Sequence, residues 1–238
     1  MRGIERALGK YASQVFTAQQ AAAVQAAGQQ DVLPTGLAAL DRLLGGGVAR
    51  GSLAEIVGPA SSGRTGLLFG LMAQATLRGE LVACIDAFDS LDPLCAQSCG
   101  VRLERMLWVR CAGNSAAQSV ARALKAADIV AQAGGFGVVA LDLEAVEIGS
   151  SAASQALTGI PSRSWFRLQR AVQGTPSLAL VLQSCSRAAG AASLVLSCER
   201  KQCDWGGPQH PPLLRGIAAE IELVRGRRRG KVRLQSRF

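Results

Sequence analysis

Histidine is almost missing from this chain of 238 residues, His210 being the only one. A Ser-His or Cys-His nucleophile pair therefore has a single position from which to be built. Cysteine is present but poorly spaced for a metal. The seven cysteines stand at 84, 95, 99, 111, 185, 198 and 203, and no two form C-x-x-C. Zinc sites use four closely defined nitrogen or sulfur ligands, so these read as reduced, mostly buried thiols. No apolar run approaches the roughly 18 residues of a spanning helix, so a soluble protein is expected. The start, Met1-Arg2-Gly3-Ile4-Glu5, lacks the apolar core of a secretory signal, so a cytoplasmic protein is expected. Acid is missing from the end of the chain. Residues 225–238 hold no Asp or Glu, yet they carry seven of the 26 basic residues.

What is present is a glycine-framed octet. Gly58-Pro59-Ala60-Ser61-Ser62-Gly63-Arg64-Thr65 follows the phosphate-loop frame G-x-x-x-x-G-K-[ST] at every position except the lysine. In that frame backbone N–H groups cradle phosphate oxygens at a helix N-terminus while the lysine reaches the outer phosphates. All eight residues are candidate nucleotide contacts, and Thr65 is a candidate magnesium ligand. Arg64 keeps the charge but not the shape, because a guanidinium is a wide planar fork where the loop expects a compact ammonium. Two readings stay open: the loop binds ATP and magnesium, or Arg64 fills the pocket itself.

Around the octet, apolar runs alternate with helical patterns, the sign of a parallel sheet covered on both faces. Strands are expected at Leu53 to Val57, Leu81 to Asp86, Met106 to Arg110, Phe136 to Asp142 and Ser177 to Gln183. Helices are expected at about 64–78, 91–99, 115–133 and 164–173. A short helix around Leu40 to Leu44 ends in the glycines 45–47. The fold class is thus α/β, a phosphate-loop core with a mainly parallel sheet flanked by helices. Beyond Gln183 the pattern turns antiparallel. Ser193 to Cys198 reads as a strand, Gly206 to Pro212 as a loop, and Ile217 to Val224 with Val232 to Gln235 as a C-terminal hairpin. Alternation sets Ile221 and Leu223 on one face and Glu220 and Glu222 on the other. The hairpin displays Arg225, Arg227, Arg228, Arg229, Lys231 and Arg233, the candidate DNA contacts, since clustered cations draw a phosphate backbone by counterion release. A solubilising turn is the alternative. Residues 1–30 read as a separate N-terminal helix, spanning about 3–27, that either packs on the core or docks on a partner; residues 31–238 form the core. Trp165 and Phe166, beside Arg163 and Arg167, read as core aromatics more readily than as base-stacking ones.

The order of these segments resembles the RecA family of recombinases. Leu33-Pro34-Thr35-Gly36, Leu40-Asp41, the glycine cluster, Glu55-Ile56-Val57-Gly58-Pro59 and Ser61-Ser62-Gly63 follow that family's approach to its phosphate loop. Ile85-Asp86-Ala87 and Leu91-Asp92-Pro93 resemble the next strand and turn. The resemblance implies that Asp142 is the magnesium-associated aspartate and that Gln183 senses nucleotide at the head of a DNA-binding loop. It also implies that the helix around Leu8-Gly9 docks on a neighbouring protomer in a homo-oligomer. The departures matter as much. The family's water-activating glutamate is replaced by Phe88, so the general base is lost unless Asp89 or Glu144 substitutes, although a solvated carboxylate is the plainer reading of Glu144. Losing about 2 to 4 kcal/mol of transition-state stabilisation at one such site costs about two to three decades in rate. The segment after Gln183 is also short for a filament's DNA-binding loop.

A compact, degenerate relative of this kind is similar to the ImuA type of accessory protein in damage-induced mutagenesis. That similarity implies a non-catalytic or weakly catalytic role in the SOS response, DNA repair and translesion synthesis. The implied partners are an ImuB-like adaptor, a specialised DNA polymerase and RecA itself, with DNA as a further contact. A DNA-stimulated ATPase and a regulator of RecA filaments are the rival readings.

Overall fold

The computed structural model describes residues 31–144, 151–188, 190–206 and 213–237. The N-terminal helix expected over 3–27 and nearly all of the expected 206–212 loop lie outside them. The described chain opens with a two-residue strand, β1 (Val32–Leu33), which leads into helix α1 (Ala38–Leu44) and returns as β2 (Val48–Ala49) to pair antiparallel with β1. Asp41 anchors the entry turn by accepting hydrogen bonds from Thr35 N at 2.7 Å and Thr35 Oγ1 at 2.8 Å. Gly45, at φ 80°, ends α1 in the left-handed conformation that glycine adopts without a steric penalty.

The core follows as β3 (Leu53–Val57), α2 (Arg64–Leu77), β4 (Leu81–Asp86), α3 (Pro93–Ser98), β5 (Met106–Arg110), α4 (Ala116–Ala133) and β6 (Phe136–Asp142). After these come α5 (Ser151–Thr158), α6 (Ser162–Val172), β7 (Leu178–Gln183), β8 (Leu194–Gly206), β9 (Leu213–Arg225) and β10 (Gly230–Arg237). The main sheet has eight strands in the order β10-β9-β8-β3-β7-β6-β4-β5. Pairing is parallel from β8 through to β5 and antiparallel from β8 to β10. This is the α/β architecture expected, including its C-terminal hairpin.

Every residue of β3, β4, β6 and β7 is buried, as parallel strands covered on both faces require. Alternate residues feed two cores. Leu53 and Val57 face α4 and α6, while Ala54 and Ile56 face α1 and α2. Helix α4 is capped by Ser115, whose side chain accepts from Gln118 N at 3.2 Å, and buries Val120, Ala123, Ala127 and Val130 on one stripe. In α6 the stripe is Trp165, Leu168 and Val172. Burying a side chain such as Leu168 stabilises the fold by about 1.5 to 3 kcal/mol, so Leu168→Asp would break that contact. Trp165 is therefore the core aromatic expected, whereas Phe166, expected in the core as well, is exposed because it lies off the buried stripe of α6.

Two features depart from the sequence reading. Strands β8 and β9 run well past the expected ends, at Leu194–Gly206 and Leu213–Arg225, because the antiparallel ladder between them continues beyond the parallel sheet. Helix α5 was not expected, its sequence Ser-Ala-Ala-Ser-Gln-Ala-Leu-Thr offering only small apolar side chains and Leu157.

Candidate functional site

The parallel strands end along one edge, where Val57 pairs with Gln183, Asp86 with Asp142, and Asp142 with Leu182. The octet leaves β3 at this edge and delivers the chain to α2. Gly58 is needed there because a Cβ would lie 2.2 Å from the carbonyl oxygen of Cys198. Ser61 takes a positive φ of 59°, and Gly63, at φ 91°, is the N-cap of α2. Ser62 is fully buried and its Oγ has no hydrogen-bond partner among the described residues, while Thr65 is exposed on the first turn of α2.

Arg64 turns inward. Its side chain is 3% exposed, one guanidinium nitrogen donates to the Gly58 carbonyl oxygen, and another pairs with the Glu144 carboxylate. The side chain that should reach outward to phosphate is thus spent within the loop and on the segment after β6. Glu144 is correspondingly not the freely solvated carboxylate expected. It is clamped by Arg64, and its backbone N–H donates to Asp142 Oδ1 at 2.9 Å. Asp142 is buried at the end of β6. Burial pushes its carboxyl up to about 7, the Glu144 N–H opposes this, the nearby negative Asp86 and Glu144 add to it, and the Arg64 cation again opposes it.

Asp86 has a structural task. Its oxygens accept from Phe88 N, Ser90 N, Leu91 N and Trp108 Nε1, which closes the turn after β4. Phe88 packs against the apolar cluster beneath that turn. Asp89, one candidate replacement for the missing base, pairs with Arg110 at the surface. Both substitute carboxylates are therefore tied to arginines.

Gln183 is fully buried, and its Nε2 donates to Glu55 within the sheet. Glu55 is the residue that sequence reasoning missed. Wholly buried in β3, it also accepts from Ser186 Oγ at 2.5 Å, Arg187 N at 2.9 Å and Ala188 N at 2.9 Å. Its one signal in the sequence is a carboxylate inside an otherwise apolar strand, which must be satisfied by several donors if it is buried. It binds the strand before the phosphate loop to the segment after β7.

The basic hairpin places its six cations in different settings. Lys231 pairs with Glu220 at 3.3 Å and Glu222 at 3.0 Å, and Arg233 pairs with Glu220 at 3.4 Å. Arg225 donates to the Ala192 carbonyl oxygen at 3.3 Å. Arg227, Arg228 and Arg229 form the exposed turn, at the sheet end opposite the phosphate loop, and among the described residues none of the three has an ion pair. The six expected DNA contacts thus divide into Lys231 and Arg233, which share the Glu220 and Glu222 carboxylates, Arg225, held on a backbone carbonyl, and a turn of open charge. Among the described residues no group of three or more His, Cys, Asp or Glu could hold a metal, and no helix is long and apolar enough to cross a membrane.

The sequence pattern of the family described as the RecA N-terminal domain matches residues 1–155. Protein RecA of Thermus thermophilus is 42% identical over 115 residues, covering 48% of this chain and 32% of that protein. Protein RecA of Methylococcus capsulatus is 42% identical over 113 residues, 47% of this chain and 31% of its own. Protein RecA of Heliobacterium modesticaldum is 37% identical over 113 residues, again 47% of this chain and 31% of its own. The chain thus spans about a third of the length of these curated relatives.

Proposed function

This chain belongs to the family of the RecA N-terminal domain, and from that premise we propose that it is a non-hydrolysing accessory protein of the ImuA type, acting in translesion DNA synthesis through protein partners. The observation that carries this reading is the Arg64 clamp. With a guanidinium held on the Gly58 carbonyl and on Glu144, the loop's interior is occupied by its own cation, and the residues present do not fit a triphosphate with magnesium while the clamp holds. Phe88 at the position of the water-activating base supports the same reading, because an apolar ring neither accepts a proton nor orients water. The working parts are then contact surfaces, and the partners are an ImuB-like adaptor, a specialised polymerase and RecA.

The test is calorimetric titration of the purified chain with ATP and magnesium, together with phosphate release with and without DNA. No binding at millimolar nucleotide and no release are expected, along with capture of an ImuB-like adaptor from damaged cells. Rapid turnover that disappears in Arg64→Ala would overturn the proposal. A second reading, a DNA-stimulated ATPase, draws on Thr65 standing exposed at the start of α2. It requires Arg64 to leave Glu144 on nucleotide binding, and the same release assay decides it.

A further inference from the structure

A groove of about 790 Å³ lies at the sheet end opposite the phosphate loop, between the glycine turn after α1 and the β9–β10 turn. Leu43, Leu44, Val48 and Leu223 give it an aliphatic floor, and Arg227 and Arg228 stand at its rim. Packing fixes its wall: a Cβ on Gly230 would come within 2.6 Å of Leu43 Cδ1, so β10 and α1 approach as closely as glycine permits. Among the described residues no carboxylate and no aromatic ring lines it. The two arginines are exposed and carry no ion pair among those residues, whereas on the adjoining strand Lys231 pairs with Glu220 and Glu222 and Arg233 pairs with Glu220.

We propose that this groove docks an acidic segment of a partner protein, with an aliphatic side chain seated on the leucine floor and carboxylates on Arg227 and Arg228. The proposal rests on the reading of the chain as an accessory protein and names the surface it uses. Charge complementarity selects the occupant. Open guanidiniums call for carboxylate or phosphate, and bidentate pairing suits both. The floor separates them, because a single-stranded nucleic acid gains its affinity by stacking bases on aromatic rings and this floor offers none. An aliphatic patch under a cationic rim instead matches a peptide that alternates leucine with glutamate. The chain's own residues 1–30 are a poor occupant, since Arg2, Arg6 and Lys10 outnumber Glu5 and repel the rim.

The experiment measures fluorescence anisotropy on the full chain with three probes: a short labelled peptide of leucine and glutamate, the same peptide with glutamine for glutamate, and labelled oligothymidine. Binding of the glutamate peptide is expected to exceed that of the glutamine peptide by about tenfold at low salt and to weaken as salt rises. Joint Arg227→Glu and Arg228→Glu substitution removes that advantage, and Leu44→Ala weakens binding severalfold with no change of charge. Thermal melts confirm that both variants fold. Equal binding of the two peptides, or undiminished binding by the charge-reversed chain, overturns the proposal. So does oligothymidine that binds more tightly than the glutamate peptide and is lost on charge reversal, which would assign the turn to nucleic acid. The outcomes separate cleanly: ATP turnover defeats the accessory reading and leaves the peptide affinities standing, whereas indifference to Arg227 and Arg228 defeats the groove and leaves the Arg64 clamp untouched.

Discussion

Arg64 at one end of the sheet and the turn arginines at the other are held in opposite ways. At the phosphate-loop end Arg64 is buried, and its charge is consumed by Gly58 and Glu144. At the other end Arg227 and Arg228 stand in solvent at the rim of an aliphatic groove. A cation in a family's binding loop is normally aimed at a ligand, and one in a surface turn is normally ornament to a soluble fold. Here the loop cation is spent inside the fold and the turn cations stay open to a partner. Side-chain accessibility, more than motif membership, tells where this chain can still make contacts.

The sharpest way to break the comparison is at Arg64. Removing one partner of a buried pair leaves the other uncompensated, so Arg64→Ala should cost about 3 to 4 kcal/mol in urea unfolding, the lower part of the usual range because Glu144 can partly rehydrate. A cost below about 0.5 kcal/mol would mean the clamp contributes nothing to stability. Arg64→Lys separates architecture from occlusion. A compact ammonium should release the cradle and bring measurable affinity for ATP with magnesium, read by calorimetry. If the lysine variant stays silent, the guanidinium is not what closes the loop.

Glu55 comes next. Substituting Leu keeps much of the volume but leaves the donors on Gln183, Ser186, Arg187 and Ala188 without their acceptor. A loss of about 2 to 3 kcal/mol is expected, with faster hydrogen exchange at Arg187 and Ala188. Unchanged protection at those two amides would show that the carboxylate does not hold the segment.

Much of this was legible beforehand, and the misses share a cause. The parallel strands announced themselves as unbroken apolar runs because both of their faces are covered, and Ile221 and Leu223 were placed by simple alternation. The outer half of β8, from Glu199 to Asp204, carries no such pattern because its order comes from backbone pairing with β9. Likewise, the inward turn of Arg64 depends on Glu144, distant in sequence, and Glu55 is satisfied partly by backbone N–H groups, which no residue code displays. Side-chain identities report burial well and report the partner of a buried charge poorly.

A smaller effect separates the loop end from its mirror by pH. The Asp142 carboxyl, raised to about 7, keeps a proton in the folded protein that the unfolded chain releases near pH 4. The folded state therefore binds more protons across that window, and this group's contribution makes stability fall as pH climbs from about 4 to about 7 and then level off. Asp142→Asn removes the titrating proton. The variant's stability relative to the parent should rise across that window, by about 4 kcal/mol between pH 4 and pH 8. A difference that does not vary with pH would place Asp142 at an ordinary carboxylate value.

The least expected effect lies at the turn. Neutralising Arg227, Arg228 and Arg229 together as glutamines removes no ion pair present among the described residues, so thermal unfolding should shift stability by no more than about 0.5 kcal/mol. The contrast with Arg64→Ala is the point of the measurement, since three cations lost at one end should matter less than one at the other. Relief of mutual repulsion would even favour the triple variant slightly at low salt, and added salt should erase that gain because the charges are open to screening. A loss of stability comparable to that at Arg64 would mean that the turn is part of the fold's support and is not free to serve a partner.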